Sequence, residues 1–420
     1  MAFADNYFSK QKGFIPCPGG PPSGQLRFII VVPACREPNL ISTLDSLNRC
    51  EKPHGHAEVI VVLNLPETAD PENYEKSLQT AGQVRQWMNE HDRPEFRFFL
   101  TEALKMPSKD AGVGLARKTG MDQALYRFNQ LNLPSGFILS FDADSRCDHN
   151  YLTAIESVLN EYPGTRGINI YYEHPVTGGY PEKIYTGIIL YEMHLRYLNL
   201  MTRSTGFPHA YHTVGSCFGV RADSYAREGG MNRKKAGEDF YFLHKIIPLG
   251  EFREINNTRV IPSPRESDRV PFGTGAAIRK FVVSGDSMLL TYAPECFYDL
   301  KDFFDRIAES FSLSDTETAA FLSRLNDPLK EFLKEISALH GIREIRKNSS
   351  TPQTFIKRFY RWFDAFRIIK FLNYASARYP QIPVNEAVSE YLKNAGIPVS
   401  GDNPSSLELL EIVRRIEKSR

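Results

Sequence analysis

Two aspartates separated by one alanine, Asp142 and Asp144, close an apolar run in the segment FILSFDADSRCDHNYL. Carboxylates of this kind are hard oxygen ligands suited to Mg2+ or Mn2+. Phe137, Ile138, Leu139 and Phe141 follow the turn signal Pro134-Ser135-Gly136 and read as a buried strand, so the acids fall where the strand runs out. A simpler role, in which Asp144 or Asp148 caps the next helix, explains one aspartate but not two.

A second acidic pair, Glu238 and Asp239, opens an amphipathic helix in GSCFGVRADSYAREGGMNRKKAGEDFYFLHKI. Acids at a helix N-terminus are stabilised by the helix dipole, and a carboxylate poised there can also take a proton from an attacking hydroxyl. Three further segments offer groups for a nucleotide. In VVPACREP, Pro33, Arg36 and Glu37 follow the first strand. In KDAGVGLARKTGMDQAL, Gly112, Gly114 and Gly120 allow close backbone approach, while Arg117 and Lys118 suit phosphate. In RVIPSPRESDRVPFGTGAAIRK, Arg265 and Arg269 bring guanidinium forks to a loop with Ser267, Gly273 and Gly275, a pattern suited to an anion.

These segments need a scaffold, and the first half of the chain supplies one. Strands at 28–32, 58–63, 95–100 and 137–141 alternate with a helix at 40–50, a polar helix ending near 87 and a helix at roughly 114–131, with Asn39 placed to cap the first of them. Alternation of this kind predicts an α/β fold: a mainly parallel central sheet flanked by helices, with ligands at the carboxyl ends of the strands. A strand near 167–172, a helix near 184–201 and a Gly-rich strand at 215–220 follow, and beyond residue 281 the pattern reads as a helical C-terminal extension broken by a linker at 348–352. The expected organisation is a leader over 1–25, a catalytic domain over 26–285 and a helical region over 286–420. Tyr171, Tyr172, His174, Tyr180 and Tyr185 form an aromatic-rich stretch that suits either sugar stacking or the core.

Composition narrows the partners. The 420 residues suffice for one large domain with an appendage or for two domains, and 51 Lys and Arg nearly cancel 50 Asp and Glu. That balance supplies no global field for nucleic acid. No apolar run is long enough to span a bilayer, which predicts a cytoplasmic protein without an integral membrane segment, peripheral association being left open. Six cysteines without a CxxC pair suggest neither zinc nor a disulfide framework and read as reduced, partly buried thiols.

In order and spacing, the first strand ending in VVP with Arg-Glu, the GxGxARxxG segment, the strand ending in Asp-Ala-Asp and the Gly-rich strand followed by GlyGluAsp resemble family 2 glycosyltransferases of the type A, Rossmann-like nucleotide-sugar fold. The resemblance covers roughly residues 26–249. It implies transfer of a sugar from a nucleoside-diphosphate sugar to an unidentified acceptor, assisted by a divalent cation, Mn2+ or Mg2+. On it, Pro33, Arg36, Glu37 and Asn64 border the nucleoside, and Gly114, Arg117, Arg265 and Arg269 serve the donor. Asp142 approaches the ribose side, Asp142 and Asp144 take the metal, and Asp239, beside Glu238, is the base of an inverting enzyme. Asn64 stands where the family's second strand usually ends in acids, Lys118 where an Asn is common, and His209, His212 and His244 are the candidates for a third metal ligand. The late Arg/Gly loop also resembles retaining type A enzymes, in which Asp239 need not be a base. Two other classes fit fewer of these residues: a haloacid-dehalogenase-like phosphotransferase with Asp142 as nucleophile, and a non-catalytic nucleotide-sugar-binding protein.

Overall fold

The run LRFIIVVPA is apolar at nearly every position rather than at alternate ones, the pattern of a strand covered on both faces. In the computed structural model it forms β1 (Leu26–Ala34), with residues 28–32 fully buried. The structure describes residues 2–267, 273–286, 288–399, 401 and 403–420. A short helix, α1 (Asp5–Phe8), precedes β1, and then α2 (Leu40–Asn48), β2 (His56–Pro66), α3 (Pro71–His91), β3 (Phe96–Met106), α4 (Val113–Gln130) and β4 (Phe137–Ser140) alternate. There follow β5 (Arg146–Cys147), α5 (Tyr151–Glu161), β6 (Gly167–Tyr172), α6 (Glu182–Ser204), β7 (Phe218–Arg221), α7 (Ala222–Arg227), α8 (Glu238–Ile246) and β8 (Phe252–Ile261).

The eight strands form one sheet in the order β3-β2-β1-β4-β7-β6-β8-β5. The first four are mutually parallel; β7 runs antiparallel between β4 and β6, β6 and β8 are parallel, and β5 closes the edge antiparallel to β8. The fold is α/β, with a mainly parallel sheet flanked by helices and a helical C-terminal part. After β1 the chain moves to β2 on one side, whereas β4 pairs on the other, so the loops after β1 and β4 diverge. That topological switch is where open α/β sheets take ligands. Pairing of β4 with β1 reaches only Val31 and Ser140, and Asp142 follows at once.

Helix α4 lies unusually close to this sheet because Gly120 has no side chain: a Cβ there would stand 2.4 Å from Val31 Cγ1 and 3.0 Å from Val62 Cγ2. The approach delivers the first turns of α4, with Arg117, toward the carboxyl edge of β1.

Two compact units are present, Met1–Tyr185 with Thr213–Arg279 and Lys418–Arg420, and Thr186–His212 with Lys280–Glu417. These limits differ from the expected divisions at 25/26 and 285/286. Residues 1–25 belong to the first unit: Tyr7 is buried, its hydroxyl donates to Asp122 at 2.6 Å, and Lys118 Nζ donates to it at 2.8 Å. In the second unit, residues 186–204 of α6 join the C-terminal helices through a buried ion network. Arg196 donates to Glu192 at 2.9 Å, Arg414 grips Glu192 through two bonds of 2.7 and 2.8 Å, and Glu417 accepts from Arg196 and stands 2.9 Å from His212. Charges so fully buried persist only when paired in this way. The expected linker at 348–352 is a capped helix entry, with Thr351 accepting from Thr354 N and Pro352 opening the helix Pro352–Trp362. Among the described residues, no helix is long and apolar enough to cross a membrane.

Candidate active site

Arg117 joins the two acidic motifs. Its side chain is 2% exposed; one terminal nitrogen donates to Asp142 Oδ1 at 2.5 Å and the other to Glu238. Glu238 can reach it because α4 packs directly on the turn before α8: a Cβ on Gly114 would lie 2.0 Å from the Lys234 carbonyl oxygen and 3.1 Å from Glu238 Cβ. Gly114 thus makes its close approach to this chain's own backbone. Glu238 and Asp239 do open a helix, as the dipole argument required, but neither side chain caps it, and Gly237, in the left-handed region, occupies the N-cap.

Asp239 completes the constellation. Its Oδ1 accepts from the Phe240 amide at 2.7 Å. A Cβ on Gly215 would stand 3.0 Å from both terminal nitrogens of Arg117 and 3.1 Å from Asp239 Oδ2, so guanidinium and carboxylate converge over one bare stretch of backbone. Ser140 Oγ fixes that stretch by donating to the Gly215 carbonyl at 2.7 Å. Burial and the charge of Glu238 push Asp239 up to about 7, against the opposing pull of Arg117.

Across the switch point, Arg265 bridges the loops after β1 and β4. Its guanidinium donates to Asp144 Oδ2 at 2.9 and 3.1 Å, and to Glu37. Glu37 is buried, and its other oxygen accepts from the Asn39 amide at 3.1 Å, so the acid rather than the Asn39 side chain serves the start of α2. Burial, Asp142 and Glu37 push Asp144 up to about 6 despite Arg265. Neither aspartate considered as a helix cap performs that role: the N-cap of α5 is Asn150, and Asp148 pairs with Arg259 at 3.0 Å. The backbone between the acids is held by Thr43 Oγ1, which donates to the Ala143 carbonyl at 2.7 Å.

Among the described residues, no three His, Cys, Asp or Glu side chains gather into a cation site. Asp142 and Asp144 nevertheless fit a divalent ion shared with a diphosphate. Each spends one oxygen on an arginine, while Asp142 Oδ2 and Asp144 Oδ1 accept no hydrogen bond within the described residues. One or two carboxylates completed by phosphate oxygens and water is the usual way proteins hold Mg2+. Of the candidate third ligands, His212 stands against Glu417 in the second unit, and His244 packs its ring on Phe240, 4.2 Å between centroids. Burial leaves His209, also in the second unit, with a pKa near 4.

The remaining expected residues are distributed as follows. Pro33 is buried in β1 opposite Val62, and Asn64 is buried in β2 opposite Ala103. Arg36 is exposed and adopts a left-handed backbone, φ 47°, uncommon for a residue other than Gly. Lys118 is committed to Tyr7 and Asp122, each at 2.8 Å. Arg269 lies outside the described residues. In the aromatic stretch Tyr171, Tyr172, His174 and Tyr185 are buried, whereas Tyr180 is exposed. Sequence reasoning did not single out Gly215, Ser140 or Thr43. Their signal is weak, a small residue or a hydroxyl in an otherwise apolar element.

No family model matches this chain, and no curated protein matches it. Among solved structures it is similar to S. aureus TarS 1–349 in complex with UDP-GlcNAc, at 14% identity over 90% of this chain and 94% of that one, TM-score 0.41. A further S. aureus TarS structure matches at 17% identity and TM-score 0.34 over 57% of this chain, which spans 35% of that protein. The mannosyltransferase PcManGT from Pyrobaculum calidifontis, in complex with GDP-Man and Mn2+, matches at 14% identity over 99% of this chain and 92% of that one, TM-score 0.35.

Proposed function

We propose that this chain is a glycosyltransferase that moves a sugar from a nucleoside-diphosphate donor to an acceptor hydroxyl. The observation that carries this reading is the Arg117 tie between Asp142, at the end of β4, and Glu238, at the start of α8, with Asp239 converging on the same guanidinium above Gly215. A carboxylate pair at a strand end and a carboxylate with a pKa near neutrality are thereby parts of one site rather than two unrelated surface features.

In this reading the nucleoside lies in the crevice between the loops after β1 and β4, bordered by Pro33, Arg36, Glu37 and Asn64. Asp142 and Asp144 are the residues that would hold a divalent cation together with the diphosphate. When bound, that ion neutralises the charge the leaving diphosphate gains. Arg265 keeps Asp144 and Glu37 in register across the crevice, and Arg117 fixes Asp142 while its charge acts on Asp239. Asp239 Oδ2, the oxygen turned away from the Phe240 amide, accepts the proton of the acceptor hydroxyl as that oxygen bonds to the anomeric carbon and the bond to the diphosphate breaks. A base with a pKa near the working pH combines a usable ionised fraction with a strong pull on the proton.

A thermal-shift comparison of UDP and GDP with and without Mn2+ tests the proposal, since a ligand that binds only the folded chain raises its melting temperature. A Mn2+-dependent rise with at least one nucleotide is expected. Indifference to every nucleoside diphosphate in the presence of Mn2+ would sink the reading, and a phosphoenzyme trapped at Asp142 would replace it with phosphotransfer.

A further inference from the structure

Two of the six cysteines, 97 residues apart in sequence, meet beside the acidic loop. Cys50 follows the end of α2 and Cys147 lies in β5, and their sulfurs are 3.3 Å apart. The contact is built into a tight seam. The Cys147 amide donates to Ser46 Oγ at 3.0 Å, Cys50 Sγ donates to the Ser46 carbonyl at 3.5 Å, and the Glu51 amide donates to the His149 carbonyl at 2.8 Å. Cys147 is partly accessible, whereas Cys50 is buried behind it. Tyr151, fully buried, lies close enough to feel the charge of both sulfurs.

Packing alone does not call for this arrangement. Two thiols in contact gain little over two small apolar side chains, and a weak S–H donor adds only a modest hydrogen bond. A sulfur pair at this separation does suit covalent closure. A disulfide needs its sulfurs about 2.05 Å apart, so the two must approach by only about 1.2 Å, a change that side-chain rotation and a small shift of an edge strand can supply. The shared contact holds the Cys50 thiol below the ordinary thiol range and, with burial, the Cys147 thiol well above it, so once the more accessible Cys147 has entered a mixed disulfide, Cys50 is the sulfur suited to attack it.

We propose that Cys50 and Cys147 form a redox-active dithiol that closes reversibly to a disulfide, joining the end of α2 covalently to the strand that follows Asp144. With glutathione disulfide as oxidant, the accessible Cys147 thiolate attacks one of its sulfurs and expels a glutathione thiolate. Cys50, after giving up its proton, then attacks the Cys147 sulfur of the mixed disulfide and expels the second glutathione. The two cysteines are oxidised, glutathione disulfide is reduced to two glutathiones, and the two thiol protons end on them. The consequence is positional. Helix α2 already holds the acidic loop through Thr43 at Ala143 and Ser46 at Cys147, and the disulfide converts this hydrogen-bonded seam into a covalent clamp on the backbone that carries Asp142 and Asp144.

The test uses the full chain, reduced with dithiothreitol, freed of it and incubated with glutathione disulfide. The free thiols counted after denaturation are expected to fall from six to four, and peptide mapping is expected to find Cys50 linked to Cys147. The melting temperature of the oxidised chain is expected to rise, as closure of a long loop predicts, and to return with dithiothreitol. Cys50→Ser is expected to trap glutathione on Cys147, and Cys147→Ser to keep its five thiols. Six thiols persisting in the wild-type chain, glutathione remaining on wild-type Cys147, or a link between any other pair would each overturn the proposal. The wild-type thiol count and map decide the question even where a variant folds poorly, and no readout depends on the chemistry proposed for the acidic cluster.

Discussion

The Arg117 guanidinium stands 2.5 Å from Asp142 Oδ1 while its other arm holds Glu238, so one buried cation ties together acids just after β4 and at the start of α8 that are 96 residues apart in the chain. Arg117→Lys keeps the charge but not the fork, and one of the two acids must lose its partner. Glu238 is nearly inaccessible, and an uncompensated buried charge of that kind costs about 3 kcal/mol. Denaturant unfolding should show the loss in the transition of the first unit, with Glu238→Gln in the same background recovering part of it. An unchanged midpoint would mean that the arginine is not the tie described here.

Asp239 is expected to set the pH dependence. Its carboxyl is raised from an ordinary 3.8 to about 7, chiefly by burial and Glu238, so it is protonated and unable to accept a proton on the acid side. Turnover should therefore climb through about pH 7 and level off above it. Stability should run the other way: the folded chain holds a proton that the unfolded chain releases between about 4 and 7, so stability falls as pH rises across that window. Asp239→Asn should lower kcat by roughly 100-fold or more, leave nucleoside-diphosphate affinity intact and flatten both profiles. Turnover retained by the variant would remove the residue from catalysis.

Arg265 competes with a cation for the charge of Asp144. Asp144→Asn is expected to abolish the Mn2+-dependent part of nucleotide binding. Arg265→Ala leaves Asp144 and Glu37 facing one another without the guanidinium between them, which should tighten Mn2+ binding in the absence of nucleotide by roughly tenfold, about 1.4 kcal/mol. Titration of free Mn2+ by electron paramagnetic resonance separates the two effects. Equal affinities in the wild-type chain and Arg265→Ala would show that the arginine does not guard the acids.

The parts of this architecture legible in the sequence are those encoded by local period. Strands β1, β2 and β4 announce themselves as short apolar runs because both of their faces are covered, and the Asp-Ala-Asp end of β4 falls at the edge that alternation predicts. The reversal at β7 was not legible: a four-residue strand containing Gly219 carries no period, and its neighbours β4 and β6 are chosen by tertiary packing. Partnerships across long separations were hidden for the same reason. Neither the commitment of Lys118 to Tyr7 nor the contact of Cys50 with Cys147 leaves a trace in spacing. The acids of the site were visible because their types are costly to place at strand ends, while the bare backbone that brings them together was not.

That bare backbone gives the last expectation. Gly215 lies where a methyl group would come within 3.0 Å of both terminal nitrogens of Arg117 and 3.1 Å of Asp239 Oδ2, closer than ordinary carbon contacts allow. Arg117 is gripped from two sides and cannot retreat without straining its bonds to Asp142 and Glu238, so Asp239, held among the described residues through the Phe240 amide alone, is the group that yields. Gly215→Ala should therefore fold with a melting temperature close to that of the wild-type chain and bind nucleoside diphosphate normally, yet turn over at least tenfold more slowly, because a displaced base loses its alignment with the acceptor. Crystals of the variant should show the Asp239 carboxylate rotated away from residue 215. Undiminished turnover would mean that the open face of Gly215 is incidental, and the convergence of Arg117 and Asp239 upon it would no longer support a catalytic reading.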